Sequence, residues 1–280
     1  MLQHCPISGF ADEIDDSLDV QIEVLKQLGQ KYLEFRSAEK IGVANYTEDA
    51  MRAVKTKLDT AGLQVSALGS PIGKIGILDD FEPHFEIFRN VITLASILNT
   101  RFIRMFSFYI PEGGDPEVYA DAVSCRLERL IAYAKEQDVV LLHENEKGIY
   151  GDTIERCRKL MEKHGCEHFR CVFDFANFVQ CKQDPIEAYE VLKPYIAYIH
   201  VKDALWESAD VVPPGMGDGK LAQIFSRLDT AGYAGFLSLE PHLANFSTLA
   251  SLEREAVTHK MQNGIDAYRI AHEKLLSLLA

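Results

Sequence analysis

Eight short β-rich runs, each followed by a stretch with helical periodicity, predict a single-domain α/β protein over residues 1–280, a (β/α)8 TIM barrel. The length of 280 residues suits one such barrel, and no Pro/Gly/Ser-rich linker or block of charge divides the chain. The later runs are nearly continuous in apolar residues rather than alternating, as parallel strands covered on both faces must be. An open doubly wound sheet is the alternative, but no G-x-G-x-x-G turn follows the first run.

In chain order the strand runs are CPISGF from Cys5, KYLEF from Lys31, LQVSAL from Leu63, RFIRMFSF from Arg101, VVLLHE from Val139, CVFDF from Cys171, IAYIHVKD from Ile196 and GFLSLE from Gly235. Between them, sets such as Leu18, Ile22, Leu25 and Leu28, or Leu127, Leu130, Ile131 and Ala134, recur at spacings that build one apolar helix face. Gly29, Gly62 and Gly232 each follow such a set, where a left-handed C-cap belongs. Helix starts are predicted at Asp184-Pro185 with Glu187 reaching back, at Asp115-Pro116, and at Asp152 with Glu155. Residues 247–280 read as a long helix with a break near Gly264.

Composition narrows the function. Hydrophobic residues at 47% and charged residues at 25% exclude a disordered or fibrous chain. A net charge of −13 is the wrong sign for neutralising a run of phosphates, so no nucleic-acid partner is expected. No stretch approaches the ~18 apolar residues of a membrane span, and Met1 to Phe10 lacks a basic start before an apolar core, so a cytoplasmic protein away from membranes is expected. Six cysteines then read as reduced thiols. Cys157, Cys166, Cys171 and Cys181, with His164 and His168 among them, have no pair at the two-residue gap of a zinc knuckle.

In a parallel barrel the site forms at the C-terminal strand ends. The last four runs end in Glu144, Asp174, His200 and Glu240. Each alone has a bland reading: Asp174 is equally an N-cap of the next helix, and His200 an interior hydrogen-bonded histidine. Together on four successive strands they point to a metal, because three carboxylates in a half-buried mouth repel by several kcal/mol unless a cation sits among them. One divalent ion is expected, Mn²⁺ first, with Mg²⁺, Co²⁺ and Zn²⁺ also compatible with the ligand types. Glu146, Lys202 and His242 lie two residues beyond members of this set and lean the same way. Glu34, Arg36, Ser70, Lys74, Arg104 and Ser107 end the earlier strands and are expected to line the pocket. A lone Lys or Arg there is as readily a solvated loop charge.

HENEKGIYGD from His143, FDFANFVQ from Phe173, YIHVKDA from Tyr198, VPPGMGDGK from Val212 and LSLEPHL from Leu237 resemble the xylose-isomerase-like barrels, the sugar phosphate isomerase/epimerase superfamily, over about Tyr32 to Leu243. The resemblance implies a metal held by Glu144, Asp174, His200 and Glu240. It also implies an aldose–ketose isomerase or ketose epimerase acting on a sugar or sugar phosphate. There the metal stabilises an enediolate while Glu144 and Glu240 act as acid and base. A sugar or inosose dehydratase on the same site is a close variant, and a barrel that binds a sugar without turnover is a third class. The superfamily's trinuclear zinc AP endonucleases carry further histidines. This chain has none in Ser66 to Pro71 or Phe106 to Phe108, has Asn177 where a D-x-x-H would close, and lacks acid and imidazole in Val211 to Gly215, so such a phosphodiesterase is remote. Asn177 also replaces a substrate-contacting histidine of many sugar epimerases, and its amide can hydrogen-bond a hydroxyl but not take a proton. If the substrate carries phosphate, Lys74, Lys147, Lys202 and Lys220 are the lysines nearest the strand ends. A homo-oligomer is compatible with all of this.

Overall fold

The computed structural model describes residues 1–245 and 261–280. Its centre is a ring of parallel strands: β1 (Ile7–Gly9), β2 (Tyr32–Phe35), β3 (Gln64–Gly69), β4 (Phe102–Met105), β5 (Val140–Glu144), β6 (Phe169–Asp174), β7 (Ile196–Val201) and β8 (Leu237–Leu239). Strands adjacent in sequence pair from β2 through β8, and β8 pairs with β1. A parallel bridge between Phe10 and Glu34 joins β1 to β2 and completes the circuit. Each predicted run contributes one strand. The ladders are shorter than the runs because the chain turns to serve the mouth: past β4, the Phe106 amide donates to Ile72 O in the neighbouring loop.

The helical stretches become α1 (Leu18–Gln27), α2 (Glu48–Ala61), α3 (Phe81–Ile97), α4 (Ala120–Glu136), α5 (Ile154–His164), α6 (Phe175–Gln180), α7 (Pro185–Leu192), α8 (Leu221–Thr230) and α9 (Gly264–Leu279). Asp184 caps α7 by accepting from the Ile186 and Glu187 amides at 2.7 and 3.2 Å. Asp115 caps a 3-10 turn, Pro116–Tyr119, that leads into α4. Gly62 closes α2 at φ 73°, a conformation that costs a side-chain-bearing residue about 1 kcal/mol or more. One predicted start is corrected. Thr153, not Asp152, caps α5 by accepting from the Arg156 amide, because the helix begins at buried Ile154, and Asp152 pairs instead with the Arg156 guanidinium. The long C-terminal helix is seen only from Gly264, where Asn263 caps α9; the rest of that expectation, residues 247–260, lies outside the described residues.

Alternation along the strands decides what fills the barrel. Leu142, Val172 and Tyr198 point inward, so the residues two further on, Glu144, Asp174 and His200, also point inward at the top. Between strands and helices lies the main apolar layer, which takes in Leu141, Phe173, Ile199 and Val201. Two short antiparallel hairpins extend the mouth, Ser37–Ala38 with Ile41–Gly42 after β2, and Asp203–Ala204 with Val211–Val212 after β7. All six cysteines are free thiols. Among the described residues no helix is long and apolar enough to cross a membrane.

Candidate metal centre

Glu144 ends β5, Asp174 ends β6, His200 sits one residue from the end of β7, and Glu240 follows β8. All four are buried, and each offers one ligand atom such that these atoms lie within 4.8 Å of one another. His200 Nδ1 stands 2.9 Å from Glu144 Oε1 and 3.3 Å from Glu240 Oε2. Asp174 uses its two oxygens differently. Oδ1 accepts the Asn177 amide at 2.8 Å and caps α6, while buried Oδ2 faces the Lys202 ammonium at 2.9 Å, out of hydrogen-bonding alignment. Cap and candidate ligand are therefore the same residue.

Three carboxylates, one of them with an under-coordinated buried oxygen, and one imidazole are the donor set that a hard or borderline divalent cation takes. The residues present fit such an ion. No cysteine enters the cluster.

Basic side chains brace the acids. Arg104, on β4, places Nη1 2.8 Å from Glu144 Oε2 and 3.9 Å from Glu240 Oε1. Lys202 reaches Glu240 Oε2 at 3.3 Å as well as Asp174. Arg36 holds Asp12 (2.8 Å), Glu13 (3.2 Å) and Glu240 (3.2 Å), with its guanidinium 4.3 Å above the Phe10 ring. Burial opposes the ionised form of each acid, and the outcome differs with the company each keeps. Despite burial and the nearby Glu240, His200 and Arg104 pull Glu144 down to about 2, and Lys202 and His200 carry Glu240 well below the usual range. At Asp174 burial outweighs Lys202, lifting the carboxyl to about 7. For His200, burial is overcome by Glu34, Glu144 and Glu240, which hold the ring's pKa well above its ordinary value.

The remaining predicted residues divide by position. Lys202 joins the centre, and His242 stands at its edge, with Nε2 3.5 Å from Glu240 Oε1 and its amide donating to Glu13 Oε2 at 2.6 Å. Asn177 faces inward, donating to Asn145 O at 2.8 Å and Glu144 Oε1 at 3.3 Å. Lys74 and Glu146 pair with each other on the rim at 2.9 Å, with the Lys74 ammonium 4.4 Å above Phe106. Glu34 is buried, 3.1 Å from His200 Nε2. Lys147 and Lys220 are exposed. Phe106, Phe108 and Phe173 are buried wall and core. Sequence reasoning passed over Asp12 and Glu13, which form a 3-10 turn straight after β1. The strand-end rule that found the late set applies equally to the first run, whose end carries Ala11-Asp12-Glu13.

The chain belongs to the xylose isomerase-like TIM barrel family, whose pattern it matches over residues 22–266. Among curated proteins it is similar to an inosose dehydratase of Clostridium perfringens, 29% identical over an alignment of 158 residues that covers 48% of this chain and 52% of that one. The chain thus spans about half the length of that relative. Solved structures with the same fold include the IOLI protein with a bound zinc atom (TM-score 0.77, 16% identity, 98% of each chain) and an L-ribulose 3-epimerase (TM-score 0.76, 16% identity, 98% of this chain and 94% of that one).

Proposed function

We propose that this chain is a divalent-metal-dependent isomerase or epimerase acting beside the carbonyl of a sugar or sugar phosphate. The observation that carries the reading is the convergence of Glu144, Asp174, His200 and Glu240 on one buried centre at the C-terminal mouth of the barrel. These four would hold the ion. The oxygen-rich set favours Mn²⁺ or Mg²⁺, and the zinc atom of the IOLI protein speaks for Zn²⁺ as another occupant. When bound, the cation supplies charge stabilisation for an enediolate. Glu144 and Glu240 carry the proton chemistry. One carboxylate takes the proton from the carbon beside the carbonyl. The other, in its protonated form, delivers a proton to the opposite face of that carbon, which inverts it, or to the former carbonyl carbon while the hydroxyl proton passes to the former carbonyl oxygen, which exchanges ketose and aldose. Arg104 and Lys202 pair with the two acids and hold them in place.

A second reading, dehydration, is favoured by the inosose dehydratase relative. There the first step is the same, and the proton then goes to the hydroxyl on the next carbon, which leaves as water. In this reading the partner is a small molecule, and the charge of −13 speaks against nucleic acid.

A glutamine at position 144 or 240 still offers an amide oxygen to a metal but cannot shuttle a proton. Glu144→Gln and Glu240→Gln are therefore expected to bind Mn²⁺ while losing turnover by ~10²–10⁴-fold. In D₂O the wild-type protein, offered a panel of ketoses and their phosphates, should place deuterium on the carbon beside the carbonyl. Water loss, read as enone absorbance, separates the dehydratase. Near-native turnover in both metal-loaded variants would remove the two glutamates from the acid–base role.

A further inference from the structure

The two ring nitrogens of His200 face different surroundings. Nδ1 looks onto Glu144 and Glu240, whereas Nε2 lies 3.1 Å from Glu34 Oε2. Glu34 is fully enclosed and is itself held, since the same oxygen accepts from Ser238 Oγ at 2.7 Å. Beneath it a polar layer continues from Ser8 Oγ to Ser66 Oγ (2.6 Å) and on to Tyr198 OH (2.7 Å). Phe10 and Tyr198 meet the imidazole edge-on at 5.2 and 5.8 Å. A carboxylate this deep is costly unless it serves something, and an apolar side chain would fill the space more cheaply. Among the described residues the ionisable group within hydrogen-bond reach of it is the imidazole, 3.1 Å away.

We infer that Glu34 is a positioning residue for the metal centre: it accepts the Nε2–H of His200 and so fixes the ring with Nδ1 aimed between Glu144, Asp174 and Glu240. A carboxylate behind a ligating histidine sets which nitrogen carries the proton and raises the basicity of the other. The inference rests on the metal reading proposed above, and it takes Glu34 out of the substrate-contacting set.

The test uses the full chain, with Zn²⁺ affinity measured by competition against a chelating indicator and the His200 ring followed by nitrogen-edited NMR without metal. Wild type should show a slowly exchanging Nε2–H. Glu34→Ala should lose that signal and bind Zn²⁺ about 10–100-fold more weakly. Glu34→Gln, whose amide oxygen still accepts, should keep the signal and most of the affinity. A merely structural role would lower the melting temperature of both variants and leave the Zn²⁺ affinity of the folded protein unchanged. A folded Glu34→Ala protein with the Nε2–H intact and an affinity within about two-fold of wild type would overturn the inference. Should Glu34→Ala not fold, Glu34→Asp, one methylene short of Nε2, replaces it with the same expectations. Wild type that binds none of Zn²⁺, Mn²⁺, Mg²⁺ and Co²⁺ would sink the metal reading instead, and the Nε2–H signal alone would then decide whether Glu34 holds the ring.

Discussion

His84 shows at the scale of one residue how a buried polar group away from the mouth still shapes it. Its Nε2 accepts the Gly73 amide at 2.8 Å and pins the loop that carries Lys74 to the rim. That bond requires a neutral ring. Burial, and then the charge of Arg126, push its pKa down to about 4. In the unfolded chain a histidine titrates near ~6.5, so between these values the unfolded state binds the extra proton and the folded state does not. The resulting stability is complete above pH 6.5 and is lost as pH falls from there toward 4. At pH 5 this one group should cost on the order of 2 kcal/mol relative to pH 7. Urea titrations of wild type and His84→Gln at both pH values check it: the drop from pH 7 to pH 5 should be smaller in the variant by that amount. Equal drops would show that His84 is charged in the fold. Nothing in the local sequence FEPHFE separates such an acceptor from an exposed helix histidine, since the partner amide is 11 residues away in a loop.

Among the elements, the segment between β7 and α8 gathers several of its amides on the Asp203 carboxylate. Asp203 accepts from the amides of Ala204, Gly215, Gly217 and Gly219, each at 2.9 Å, and draws the PPGMGDG stretch in beside Lys202. A Cβ at Gly217 would stand 2.4 Å from Asp203 Oδ1, and one at Gly219 2.7 Å from it, so close approach selects glycine at both. Asp203→Ala strands several amides at once and should cost about 2 kcal/mol or more in denaturant unfolding. Gly217→Ala should loosen the same loop by pushing the carboxylate away. If proteolysis of this segment is no faster in either variant than in wild type, Asp203 is not its anchor. The eight strands, and the placing of Glu144, Asp174, His200 and Glu240 at strand ends, were legible because strand pattern and alternation are local properties of the sequence. Asp203 was not, because its partners lie 12 to 16 residues downstream and only the folded loop brings them together. Asp152 failed as a predicted cap for a smaller reason: Thr153, one residue on, offers an equally good acceptor, and burial of Ile154 set the boundary. Glu34 was legible as a strand-end acid, but its direction depends on where His200 of β7 stands across the barrel.

On the scale of the molecule, the barrel places charge against its own stability. The carboxylates of Asp12, Glu13, Glu34, Glu144, Asp174 and Glu240 are buried at one end, with Arg36, Arg104, Lys202 and His200 as the cations among them. The acids outnumber the fixed cations, and burial makes every unmatched charge costly. A bound divalent ion would redress this, and because the candidate ligands come from β5, β6, β7 and the end of β8, only the folded chain gathers them. An ion that binds the folded state alone stabilises it by RT ln(1 + [L]/Kd), about 4 kcal/mol at a thousand-fold excess over Kd. For a domain of this size that corresponds to a rise in melting temperature on the order of 8 °C. Chelator-treated protein should therefore melt lower, and its Tm should climb with the logarithm of added Mn²⁺ or Zn²⁺. The Asp174→Ala protein should melt lower still without metal, having lost the α6 cap, and should respond weakly to the ion. A chelator-treated wild type whose Tm ignores Mn²⁺, Mg²⁺, Co²⁺ and Zn²⁺ alike would mean that the basic side chains alone balance the cluster.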